Sequence, residues 1–157
     1  MACHFPVGAS PAVSAPPRGG GDTLFLRLDR DFCFGTCPAY KIEIDRDGAV
    51  RYTGRGDVCE PGPISERLSD DQMNKLRTAV ASSGFAAIRE HCCDCPVSDT
   101  PTITLTVADP PRLKTVVDSY GCEGGTTPVE TLADTIDRIV GIERWIGTKE
   151  ERKNCRW

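Results

Sequence analysis

The sequence predicts an α+β domain of two layers. We expect about five mainly antiparallel strands in the order βββα-ββα, with two helices on one face of the sheet. Two observations lead to this prediction. Alternating apolar patterns occur in neighbouring pairs joined by turn residues, which is typical of hairpins. The segments with helix-capping signals follow these pairs, so the pattern lacks the strand–helix–strand alternation that a parallel sheet requires.

Strand patterns occur in three parts of the chain. Residues 23–30 (TLFLRLDR) alternate leucines with other side chains, which predicts a half-buried strand. Residues 40–56 contain two alternating runs joined by Asp47-Gly48, a pair that favours the tight turn of a hairpin. Residues 100–120 repeat this arrangement around an Asp-Pro-Pro turn and predict a second hairpin.

Two helices are predicted from their first turns. Ser69 and Gln72 have the spacing of a capping box, in which each side chain bonds the other residue's backbone N–H. The second helix is predicted to begin with Thr127 as its cap and Pro128 in the first helical position. Glu130 is placed to complete a second capping box with Thr127.

Length and composition predict one domain with two flanking segments. The chain has 157 residues, enough to bury a core of its own. Residues 1–22 are rich in Pro, Ala, Ser and Gly without periodicity, so we expect a disordered N-terminal tether. Residues 23–147 are expected to form the single α+β domain, and residues 148–157 a C-terminal tail.

Charge and hydropathy argue against two classes of partner. The net charge is −4 and no basic block occurs, which argues against nucleic-acid binding, because phosphate neutralisation needs clustered Lys and Arg. No apolar run approaches the roughly 18 residues of a membrane-spanning helix.

The cysteine content is the most unusual feature of the sequence. If the cysteine nearest the N-terminus is set aside, eight remain, which is enough for four disulfides but allows 105 pairings. The nine cysteines are Cys3, Cys33, Cys37, Cys59, Cys92, Cys93, Cys95, Cys122 and Cys155.

Cys33 and Cys37 flank a tight loop, and three interpretations of this pair remain open. A local disulfide would brace the turn between two strands. A reversible redox pair is the second, since a disulfide in so short a loop stabilises little and short or strained disulfides are the more easily reduced. Metal binding is the third. Cys59 and Cys122 are further disulfide or redox candidates.

A denser cluster spans residues 91–95. The imidazole of His91 and the thiols of Cys92, Cys93 and Cys95 are ligand types that suit zinc or copper. Adjacent cysteines rarely bind one tetrahedral ion, so disulfides to more distant cysteines are the alternative. The redox compartment decides between them, because reduced thiols favour metal and an oxidising envelope favours disulfides.

Several short motifs together resemble a known family. In chain order they are CFGTCP at 33–38, DG at 47–48, DTPT at 99–102 and RW at 144–145. Over residues 24–146 the chain is similar to a bacterial family known only as domain of unknown function 6438. The resemblance implies an exported or lipid-anchored protein and carries no established activity. The cluster at 91–95 is an addition to the family pattern.

The N-terminus fits the same compartment. Cys3 followed by a flexible tether is how a mature bacterial lipoprotein begins, so Cys3 is the lipidation candidate. Only Ala2 of a lipobox is present, and a signal segment would have to precede Met1. A stray thiol on a disordered tail is the competing interpretation.

The leading functional hypothesis is a non-enzymatic, disulfide-stabilised accessory or binding domain of the bacterial envelope or periplasm. It would need no cofactor, have no catalytic residue, and bind an envelope protein or a small ligand. A thiol-based zinc- or copper-binding protein, cytoplasmic if its thiols stay reduced, is the alternative. A thiol–disulfide redox protein is a weaker one.

Overall fold

The computed structural model describes residues 23–90, 101–119 and 127–155. The strands are Leu24–Arg30 (β1), Ala39–Asp45 (β2), Ala49–Gly56 (β3), Ile64–Arg67 (β4), Thr102–Asp109 (β5) and Arg112–Ser119 (β6). The helices are Asp70–Ser82 (α1), Pro128–Val140 (α2), Glu143–Ile146 (α3) and Lys149–Arg152 (α4), with a 3₁₀ turn at Phe85–Ala87. The predicted tether, residues 1–22, lies outside the described residues.

The six strands form one sheet in the order β4-β3-β2-β1-β5-β6, and every neighbouring pair is antiparallel. The predicted α+β class is therefore confirmed. The sheet has one strand more than expected, because β4 is only four residues long and largely exposed, with no apolar alternation in its sequence. Its backbone pairs with β3 from Tyr52↔Ile64 to Ala49↔Arg67.

The turns and caps follow local sequence chemistry. Asp47 Oδ1 accepts a hydrogen bond from Ala49 N at 3.1 Å, and Gly48 adopts a φ of +89° between β2 and β3. Ser69 and Gln72 form the expected capping box of α1.

The second predicted capping box is only half formed. The Thr127 hydroxyl accepts from Glu130 N at 3.1 Å, as predicted. The reciprocal bond from the Glu130 side chain is not among the contacts of the described residues, and this side chain lines a surface cleft instead. The Thr127 hydroxyl also donates to the buried carboxylate of Asp118.

The core lies between the sheet and the first two helices. Leu26, Leu28, Ile42 and Ile44 supply its sheet side, and all four side chains are fully buried. A row of aromatic rings closes one end of it. The ring centroid of Tyr52 lies 6.1 Å from that of Tyr40 and 5.0 Å from that of Trp145. The list of core residues contributed by the helices is Met73, Leu76, Val129, Leu132, Ala133, Ile136 and Val140.

Ordered structure continues past residue 147, where the sequence predicts that the domain ends. Thr148 caps α4 through a capping box with Glu151. Arg152 Nε donates to Asp57 Oδ2 at 3.1 Å, and this arginine side chain is only 11% exposed. A short helix and a largely buried ion pair thus attach residues 148–155 to the loop after β3.

Candidate functional site

Four of the nine cysteines form two disulfides among the described residues. The Cys33–Cys37 disulfide closes a loop of sequence separation 4 between β1 and β2, with its Cα atoms 5.7 Å apart. The Cys59–Cys155 disulfide joins residues separated by 96 positions and holds the C-terminal segment against the loop after β3. The first therefore closes a local loop, and the second is a long-range cross-link.

The remaining cysteine candidates fall outside the part of the chain that the structure describes. The proposed metal ligands His91, Cys92, Cys93 and Cys95 lie in the segment 91–100. The same holds for Cys122 in segment 120–126 and for the lipidation candidate Cys3. Within residues 23–90, 101–119 and 127–155, no three His, Cys, Asp or Glu side chains are grouped as metal ligands. The metal and lipid hypotheses stay predictions.

A cleft of about 290 Å³ lies beside the Cys33–Cys37 loop. Its walls come from the end of β1, the loop, the start of β2, the residues that enter β5, and one side of α2. Cys37 itself contributes to the wall, so the disulfide borders the cleft. The apolar part of the lining consists of Pro38, Pro101, Ile103 and Ile146.

A network of charged and phenolic groups forms the polar wall. Arg30 Nε donates to Asp137 Oδ2 at 2.8 Å, and Tyr40 Oη donates to the same oxygen at 2.7 Å. Arg30 Nη2 donates to Asp134 Oδ1 at 2.6 Å. β1, β2 and α2 each contribute to this network, so it ties the helix to the sheet at the cleft.

Burial changes the proton affinities of these groups. The Asp137 side chain is 13% exposed, and desolvation raises its pKa even though Arg30 and the Tyr40 hydroxyl favour its charged form. Desolvation and the neighbouring Asp137 charge raise the pKa of Tyr40 well above its ordinary value. Burial lowers the pKa of Arg30, but Asp137, Tyr40 and Asp134 together outweigh burial and leave this pKa raised. Tyr40 and Arg30 therefore stay protonated donors.

One acceptor in this wall has no partner. Asp137 Oδ1 is buried and accepts no hydrogen bond from any described residue. A buried carboxylate oxygen without a donor costs stability. Such a cost in a cleft wall is typical of functional sites, where local stability is given up for binding.

The rim of the cleft is the loop that the disulfide closes. Asp31 and Cys37 line the cleft, and the residues between them project from it. The Phe34 side chain is 89% exposed at the tip of the loop, beside Gly35 with its φ of +142°. Phe32 is 57% exposed and lies against Gly56, where a Cβ atom would collide with its ring.

Sequence reasoning identified Cys33 and Cys37 at this position but missed Arg30, Asp134 and Asp137. The signal for the acids was weak but present, because α2 carries Asp134 and Asp137 one turn apart beside its apolar stripe. Arg30 gave no signal at all. It lies 107 positions from Asp137, and only the folded sheet brings the two together.

Comparison with known proteins identifies the family. The model of a family described as Domain of unknown function (DUF6438) matches residues 25–140. The chain belongs to this family. The match to domain of unknown function 6438 covers β1 to the end of α2, and so includes the Cys33–Cys37 loop and the polar wall of the cleft. No curated protein matches the chain. Among the described residues, no helix is long and apolar enough to cross a membrane.

Proposed function

We propose that this chain is a non-enzymatic binding domain of the bacterial envelope, stabilised by disulfides, and that its binding site is the cleft beside the Cys33–Cys37 loop. The observation that carries the proposal is the cleft wall itself. It combines a cavity of about 290 Å³ with a buried Arg30–Asp137–Tyr40 network and an unpartnered acceptor. Such convergence of polar groups in a concave surface is the usual form of a ligand site.

The disulfides support the compartment. Disulfides persist in the oxidising periplasm and on the cell surface, and they are rare in the cytosol. Cys59 and Cys155 lie 96 positions apart in the sequence, and their disulfide joins the same two segments that the Arg152–Asp57 ion pair joins. A cross-link of this kind is typical of an exported domain. Lipid attachment through Cys3 would place the domain at a membrane surface.

The test is a measurement of free thiols and bound metal on protein isolated from its own host. The protein is alkylated without reductant, digested and weighed, and its metal content is measured in parallel. We expect Cys33, Cys37, Cys59 and Cys155 to be protected from alkylation, with no stoichiometric metal. Free thiols at these positions together with stoichiometric zinc or copper would overturn the proposal and favour the metal-binding alternative.

Thiol–disulfide exchange is a second candidate, favoured by the position of Cys37 in the cleft wall. A thiolate of a substrate dithiol would attack one sulfur of the Cys33–Cys37 disulfide and displace the other as a thiolate. The second substrate thiol would then attack the mixed disulfide. The substrate would leave as a disulfide, and both cysteines would be reduced to thiols.

Equilibration in glutathione buffers distinguishes this candidate from a structural brace. A midpoint for Cys33–Cys37 between about −120 and −270 mV is the range of thiol–disulfide oxidoreductases. A midpoint below about −300 mV is that of a structural disulfide and would exclude the exchange reaction. The Cys59–Cys155 disulfide in the same protein serves as the internal control.

A further inference from the structure

The cleft carries more negative charge than its own cation balances. Among the described residues, Asp31, Glu130, Asp134 and Asp137 line it together with one guanidinium, that of Arg30. Arg30 pairs with Asp134 and Asp137. The excess negative charge in a concave wall attracts cations and disfavours anions.

Glu130 is the carboxylate least accounted for by the fold. It lies half-buried in the first turn of α2, and its side chain makes no ion pair or hydrogen bond with the described residues. Asp137 Oδ1, in the same wall, also has no donor among them. The cap of α2 uses neither the Glu130 nor the Asp137 side chain, because the Thr127 hydroxyl supplies it. The cleft therefore offers the Glu130 carboxylate to a donor from outside the fold.

The loop that borders the cleft adds exposed apolar side chains. Among the described residues, Phe32, Phe34 and Leu113 are the large apolar side chains that remain exposed. Two of the three belong to the single loop that runs between the cleft-lining residues Asp31 and Cys37. The disulfide restrains this loop, so the two rings are presented on a braced segment. Exposed aromatic side chains on a rigid support are typical of interaction sites.

We propose that the cleft and its rim bind a polypeptide segment in which a Lys or Arg side chain neighbours an apolar side chain. The cation enters the cleft and faces Glu130, while the apolar neighbour packs on Phe34. A small amine alone would leave the exposed Phe34 ring uncovered, and an apolar segment alone would leave Glu130 without a partner. The inference rests on the proposed binding function and names its ligand class.

The test is a titration of the isotope-labelled, disulfide-intact protein, followed by its backbone amide resonances. The probe is acetyl-Leu-Arg-Leu-amide. The matched control is acetyl-Leu-citrulline-Leu-amide, which keeps the shape of arginine and removes its charge. We expect the arginine peptide to shift amides of the rim loop, of Thr102 and of the first turns of α2. We expect the citrulline peptide to bind more weakly than the arginine peptide. Added salt should lower the affinity for the arginine peptide.

Two variants locate the contacts, each with a control of the same chemistry. E130Q is expected to lower the affinity for the arginine peptide by about two- to fivefold, the range for a partly exposed ion pair. D71N removes an exposed carboxylate on α1, where Asp71 pairs with Lys75, and should leave the affinity unchanged. F34A should lower the affinity for the arginine peptide, whereas L113A on the β5–β6 hairpin should leave that affinity unchanged. Amide spectra of the free variants establish that each is folded.

Each outcome decides the inference. Equal binding of the two peptides at the cleft would refute the cationic class and leave the binding function standing. Equal binding of free argininamide and the peptide would show a small-cation site and refute the role of the rim. No shift at the cleft with any probe would refute the peptide class. The proposed function is decided separately by the thiol and metal measurement, so the two failures are distinguishable.

Discussion

The two disulfides are expected to differ in their contribution to stability, and the difference tests which of them is structural. Replacing Cys59 and Cys155 by alanine removes a cross-link that spans 96 positions. The chain-entropy relation gives about 4.7 kcal/mol for a loop of this length. Replacing Cys33 and Cys37 removes a loop of separation 4, for which the same relation gives about 2 kcal/mol.

Urea unfolding followed by tryptophan fluorescence measures both effects, because Trp145 is buried against Tyr52. The double variant C59A/C155A should lose roughly twice the free energy of unfolding that C33A/C37A loses. Its m-value should also rise more, because its unfolded chain is free of the longer cross-link and exposes more surface. Alkylating the remaining thiols in all three proteins removes disulfide exchange as a variable.

The reverse order would refute this reasoning. If C33A/C37A were destabilised as much as C59A/C155A, the short loop would be an essential part of the fold rather than the rim of a site. If C59A/C155A unfolded like the wild type, the C-terminal segment would be held by the Arg152–Asp57 pair and α4 alone. The first result would change the assignment of the Cys33–Cys37 loop to function, and the second would remove the structural role of the Cys59–Cys155 disulfide.

Three further perturbations test the electrostatics and the caps. Y40F removes a donor to Asp137 and should lower the free energy of unfolding by about 1–2 kcal/mol, measured by urea titration. The pKa of Glu43 is lowered despite burial, because Arg27 bonds it and Lys41 and Arg51 add positive charge. The ionised Glu43 side chain therefore stabilises the fold above its ordinary pKa of 4.5, and this contribution is lost as the pH falls through the lower pKa of the folded state. The difference in free energy of unfolding between wild type and E43Q should thus narrow in acid. T127A removes the α2 cap and the donor to buried Asp118, and it should lower the free energy of unfolding by about 2–3 kcal/mol, more than T135A at a partly exposed position of α2.

Local sequence patterns determined the strands and helices that dominate the fold. Alternating leucines in β1, the Asp47-Gly48 turn and the Ser69 cap each depend on residues within a few positions of one another, so their structures follow from the sequence directly. The short edge strand β4 did not follow, because its four residues are held by pairing with β3 and carry no periodicity of their own.

The cysteine loop and its family motif were also visible in the sequence, since CFGTCP is a local pattern. Which cysteines pair was not, because eight of them allow 105 combinations and only the fold places Cys59 next to Cys155.

The cleft is a property of the tertiary structure alone. Arg30, Tyr40 and Asp137 come from three elements, and their hydrogen bonds span 97 and 107 positions of the chain. Contacts at such separations depend on sheet order and helix packing, which no local pattern specifies. The charge of each residue is written in the sequence, but the burial that raises the pKa of Asp137 exists only after folding.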